Sequence, residues 1–112
     1  MYKRQAYSTV ASVKAILLID DADETYDSEI GGCISSADAL VDGLLKKVGL
    51  TVGDSVPQLI ADASAHFAAW LFRHRRDPES AEVFWAEAHK FLDAYVDGEE
   101  EIAFEVGSSY SD

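Results

Sequence analysis

Arg73, Arg75 and Arg76, within the stretch LFRHRRDPES, crowd three of the chain's nine lysines and arginines into four positions. Guanidinium groups grip carboxylates and phosphates through paired N–H donors, so the chemistry open to this cluster is anion recognition: a nucleic-acid backbone, or the acids of a partner protein. The rest of the chain argues against the first. Twenty-one acids give a formal net charge of -12, and phosphate neutralisation supplies most non-specific nucleic-acid affinity. A third use is local: the cluster falls at a predicted helix end, where cations meet the negative end of the helix dipole. One or two arginines would serve the dipole. The surplus points to Arg73, Arg75 and Arg76 as an interface with acids of a neighbouring subunit or partner.

Other reactive side chains lack the spacing that chemistry needs. Asp62 and His66 are four apart and can share a helix face, but the residues three before His66, His74 and His89 are Ala63, Leu71 and Ala86, so the Glu-x-x-His pair of di-iron bundles is absent, as is HExxH. Cys33 is the one cysteine. It lies on an apolar stripe beside Ile30, Ile34 and Ala37 and reads as a buried small hydrophobe rather than a nucleophile. Gly31-Gly32 is not followed by Lys-Ser/Thr at P-loop spacing, and DDADETYDSE (residues 20 to 29) lacks the glycine and closing-glutamate spacing of an EF-hand loop. The expectation is a non-enzyme with no catalytic residue, no metal and no cofactor.

The elements that would position these residues are helices. Ser8 or Thr9 can cap a first one reaching about Leu18, with Val10, Val13, Leu17 and Leu18 on one face. A second begins between Thr25 and Ser28 and closes at Gly49, carrying Ile30, Cys33, Ile34, Ala37, Val41, Leu44, Leu45 and Val48, although Gly31 and Gly32 weaken its first turns. A third starts at Val56 or Pro57 and carries Leu59, Ile60, Ala63, Phe67, Trp70 and Leu71 as a central strut. Asp77 and Pro78 open a fourth, with Ala81, Phe84, Trp85, Ala88, Leu92 and Tyr95 inward, and Gly98 ends it. The connection between the last two is short enough to make them an antiparallel hairpin, and core spacing assigns their aromatic residues to packing.

The predicted fold is therefore all-α: a bundle of about four helices over residues 1–98, with an extended acidic tail over 99–112. In the tail the helical period gives way to alternation, Ile102, Phe104 and Val106 pointing one way. That is the pattern of a strand that can pair with another chain, which adds these three residues to the expected interface. Twelve of the acids lie in residues 20–29 and 97–112, whereas the first fourteen residues carry Lys3, Arg4 and Lys14 and no acid. A positive start and a negative end suit head-to-tail contacts between copies. No run approaches the ~20 apolar residues of a bilayer span, and MYKRQAYST lacks the apolar stretch of a signal peptide, so the expected site of synthesis and residence is the cytoplasm, with no membrane partner.

The block from ISSADALVDGLL through VPQLIADASAHFAAWLFRHRRDPESAEVFWAEAHKFLDAYVDGE resembles the small head-tail connector (adaptor) proteins of tailed bacteriophages and related archaeal viruses. The matching features are an Ala-rich helix at Ala37 to Leu45, a Val56-Pro57 start to a long helix ending in Arg73 to Arg76, and a last helix closing on Gly98. The resemblance implies a virion protein of the neck, assembled in the host cytoplasm as a ring of copies, usually twelve, beneath the portal protein. Such a ring extends the DNA channel, passes DNA without specific binding, and gives stopper or tail-completion proteins a platform. The acidic excess suits either the surface of a protein from a salt-loving host or a channel wall to which DNA does not stick. The rival readings are an acidic helical DNA mimic or regulator bound to a nucleic-acid enzyme, and a small regulatory bundle such as an antitoxin.

Overall fold

The computed structural model describes residues 6–109, with side chains described over residues 6–99. Four helices follow in order: α1 (Val10–Leu17), α2 (Asp27–Lys47), α3 (Gln58–His74) and α4 (Pro78–Ser109). The all-α reading holds, and no strand occurs among the described residues. None of the described helices is long and apolar enough to cross a membrane.

The helix ends are written in local chemistry. Thr9 caps α1 through a reciprocal capping box with Ser12: Ser12 N–H donates to Thr9 Oγ1 at 3.1 Å, and Thr9 N–H donates to Ser12 Oγ at 3.2 Å. Gly49, at φ 78°, closes α2. Leu50 N–H reaches Leu45 O at 3.0 Å and Gly49 N–H reaches Lys46 O at 3.1 Å, the paired bonds of a Schellman motif. Asp77 Oδ1 accepts Ser80 N–H at 3.4 Å at the start of α4. The same Schellman pairing ends α1, but with Leu18 in the left-handed position at φ 62°. That turn swings its side chain outward, and Leu18 is 91% exposed rather than in the core with Val13 and Leu17.

α3 is the strut. It packs on α4, α2 and α1, whereas α4 rests on α3 with little or no contact with the other two. Ile60, Ala63, Phe67, Ala68 and Ala69 of α3 are wholly buried, in one core with Val13 of α1, Ile30, Ala37, Val41 and Leu45 of α2, and Ala88 of α4. Small residues on α3 let three helices approach it closely. Because one helix alone covers α4, among its described side chains only a narrow line, Ala81, Ala88 and Leu92, is deeply buried.

Two expectations about the chain's ends change. Tyr7, 4% exposed, already belongs to the core although it precedes the Ser8 or Thr9 expected to cap the first helix. At the other end, α4 continues through Gly98 instead of stopping there. A glycine inside a helix costs only about 1 kcal/mol relative to alanine, which a long helix tolerates. α4 thus runs over the stretch of Ile102, Phe104 and Val106 expected to be a strand; the side chains of those residues lie outside the described ones.

Candidate functional site

The end of the molecule where α3 passes into α4 gathers the charged and aromatic residues singled out above. Arg75 and Arg76 turn back across 46 and 47 residues to the first turn of α2. Arg76 Nη1 donates to Glu29 Oε2 at 3.0 Å and Nη2 to Oε1 at 2.9 Å, a two-pronged grip, while Arg75 Nη1 adds a bond to Oε2 at 3.3 Å. Arg76 Nη1 also donates to Phe72 O at 2.9 Å, meeting a carbonyl of the last turn of α3 as the dipole argument requires. Its guanidinium carbon lies 3.8 Å from the Phe72 ring centroid and 5.4 Å from that of Tyr26, and those two rings meet edge to face at 5.4 Å.

Two of the three arginines expected to meet a partner therefore clamp the chain to itself. Arg73 stands apart: its guanidinium carbon is 5.8 Å from the Phe84 ring centroid, and it makes no ion pair among the described residues. The clamp also explains why α2 starts at Asp27 despite Gly31 and Gly32. Lys14, only 2% exposed, lies with Nζ 2.7 Å from Asp27 Oδ1 and donates to Asp21 O at 3.0 Å. Its hydrogen bond to Asp27 raises the ammonium above its ordinary range, against the burial that would lower it. Two cationic anchors thus hold the first turn of a helix whose own propensity there is poor. In the acidic run before it, Asp20 accepts Ala22 N–H and Asp23 accepts Thr25 N–H, each at 3.0 Å, folding the loop through its own carboxylates.

The hydrogen bond from Arg76 holds the Glu29 carboxyl below its usual range; partial burial opposes the shift, and the charges of Arg76 and Arg75 add to it. A carboxyl depressed in the folded state contributes stability above its unfolded value, here 4.5, and that contribution disappears as pH falls through the lower folded value. Glu29→Gln is accordingly expected to be slightly less stable than the parent at neutral pH, and the gap should close on acidification below 4.5. With Arg76 41% exposed the effect is modest and salt should shrink it. Denaturant melts at a series of pH values check this; a gap that stays constant into strong acid would mean the pair contributes nothing.

Beside the clamp, α3 and the first turns of α4 leave an open cleft of about 700 Å³ walled by Trp70 and Trp85, whose ring centroids are 4.6 Å apart. His74 stacks on Trp70 at 4.9 Å, Val83 is 57% exposed, and Glu79 and Glu82 stand on the rim. Core spacing assigned both tryptophans to packing, and only Phe67, edge-on to Trp85 at 5.3 Å, lies fully inside. The readable signal was the shortness of the α3–α4 connection, since a hairpin end with no third helix above it leaves its outermost aromatics uncovered.

Elsewhere, Cys33 is buried as expected, and burial pushes its thiol up, away from the thiolate a nucleophile needs. His66 packs on Phe91 at 5.0 Å, with Nδ1 2.8 Å from Asp62 O, so the Asp62–His66 pair meets through a backbone carbonyl. Among the described residues no three His, Cys, Asp or Glu side chains converge as metal ligands would. What this arrangement offers is an interaction surface: an aromatic cleft with an acidic rim on a helix covered along one side. No family model, curated protein or solved structure matches the chain.

Proposed function

We propose that the chain is a structural protein of a virion neck, a head-tail connector whose copies form a ring beneath a portal protein and offer stopper or tail-completion proteins a platform. The observation that carries this reading is the placement of α4: a helix of 32 residues resting on α3 alone, its outer side and the Trp70–Trp85 cleft open to a neighbour. A subunit of a ring needs two such faces, one to give and one to receive. The resemblance in the Val56-Pro57 helix start, the basic end of α3 and the Ala37 to Leu45 stretch supports the same reading. In this reading DNA passes the acidic ring without being held.

Electron microscopy of the neck complex, purified with its portal, tests the proposal. A closed ring of this chain is expected, and a chain lacking residues 101–112, which include Ile102, Phe104 and Val106, should lose portal binding. One or two copies per portal would overturn the reading. A monomer or dimer that instead captures a basic nucleic-acid enzyme would favour the DNA-mimic alternative.

A further inference from the structure

We propose that the Trp70–Trp85 cleft is a receptor for residues 1–5 of a second copy of this chain, the segment MYKRQ, so that successive copies are strapped head to tail. The cleft is open and aromatic, with Trp70, Trp85 and Val83 presenting apolar surface and Glu79 and Glu82 supplying the only carboxylates along its wall. A complementary ligand combines an apolar or aromatic side chain with cations. A cation over a tryptophan face is attracted by the ring quadrupole, and a second can pair with a rim carboxylate.

Residues 1–5 lie outside the described residues, and their composition meets that specification: Met1 and Tyr2 are followed directly by Lys3 and Arg4, with no acid. The other end of the chain fails it. Residues 97–112 carry Asp97, Glu99, Glu100, Glu101, Glu105 and Asp112 and no base, and the rim would repel them.

Geometry separates the chain's own segment from a neighbour's. Tyr7 and Ser8 are fastened at the level of Ser64, where Ser8 Oγ and Ser64 Oγ are 3.0 Å apart. Trp70 and His74 lie six and ten residues further along α3, roughly 9 and 15 Å at ~1.5 Å per residue. They also lie on another side of it: α1 flanks Ala61 and Ala65, and Trp70 stands nine residues beyond Ala61, half a turn round at ~100° per residue. The six residues before Tyr7 span at most ~20–22 Å when fully extended. The axial distance takes roughly 9 to 15 Å of that, and the path half a turn around the side chains of α3 must come out of the rest, which puts the cleft at the limit of a fully extended segment. A second copy has no such restriction.

The contact needs no portal and rests on the connector reading only for closure of the strapped copies into a ring. The test is a titration of the full chain with a synthetic, C-terminally amidated peptide of residues 1–5, read by tryptophan emission, since Trp70 and Trp85 are the only two tryptophans. A saturable change is expected. It should weaken at least about tenfold when the peptide carries Lys3→Glu and Arg4→Glu, or when the chain carries Glu79→Lys and Glu82→Lys, because each pair of reversals turns attraction into repulsion. The reversed peptide should regain binding to the reversed chain. An absent or non-saturating change, or equal binding of the reversed peptide to the parent chain, would overturn the inference. So would emission of the full-length Lys3→Glu/Arg4→Glu chain that differs from the parent's at high dilution, which would mean each chain fills its own cleft. Rings that assemble unimpaired from that double variant would refute the strap and leave the connector reading intact.

Discussion

Phe67→Ala is expected to cost about 3–5 kcal/mol of folding stability, a large share of what a domain of this size has. Phe67 is the largest wholly buried side chain, with its ring edge-on to Trp85 and His89 of α4 at 5.3 Å each. Removing the ring leaves a cavity that the helices cannot close, because Ala63 and Ala68 on α3 and Ala88 on α4 already hold the backbones as near as small residues allow. The melting temperature should fall by at least about 10 °C. Trp85→Ala deletes a larger ring from the same contact but should cost less, since Trp85 is 36% exposed and part of its surface is already in water. If the two variants melt together, or Phe67→Ala costs under about 1 kcal/mol, the α3–α4 seam is not the packed core described above.

The same seam marks how far the sequence could be read. Apolar residues at three- and four-residue spacing located all four helices, and capping chemistry located their ends at Thr9, Gly49 and Asp77-Pro78, because a cap is decided by neighbours in the chain. What failed was decided by neighbours in space. Leu18 fits the stripe of Val10, Val13 and Leu17 by spacing, yet it occupies the left-handed turn that ends α1 and points to solvent. Lys14 was one more cation of a basic N-terminal stretch until Asp27 and the Asp21 carbonyl were brought to it, 13 and 7 residues away. The arginine cluster stood out by its charge, but the acid that Arg75 and Arg76 meet is Glu29 of the same chain, a pairing that no local rule connects across more than forty residues. Spacing also cannot tell an aromatic residue that ends wholly buried from one left at the rim of a hairpin, which is the difference between Phe67 and the two tryptophans.

Asp38→Ala is expected to cost about 2–4 kcal/mol, although Asp38 contributes nothing to the apolar stripes. Its carboxylate accepts the Tyr7 backbone N–H on Oδ2 at 3.1 Å and the Ser64 hydroxyl on Oδ1 at 2.6 Å; Ser64, with no exposed surface, also meets Ser8 at 3.0 Å. The Tyr7 hydroxyl bonds the carboxylate of Asp42, one turn further along α2. One acid thus joins the segment before α1 to both α2 and α3. Its removal takes the acceptor from the Tyr7 amide and the Ser64 hydroxyl, both on residues that are buried, and an orphaned buried donor costs more than the bond it made was worth. Asp38→Asn keeps an acceptor oxygen and should cost less than half as much. Asp38→Ala combined with Ser64→Ala should cost well under the sum of the two single changes, because Ser64→Ala removes one of the donors that Asp38→Ala strands. Amide hydrogen exchange provides the local readout: in Asp38→Ala the Tyr7 amide should lose its protection while amides in the middle of α3 keep theirs relative to the new global stability. Equal loss at both places would mean that the acid holds the whole bundle together and not the N-terminal segment to it, whereas an unchanged Tyr7 amide would mean that the bond from Tyr7 to Asp38 carries no stability.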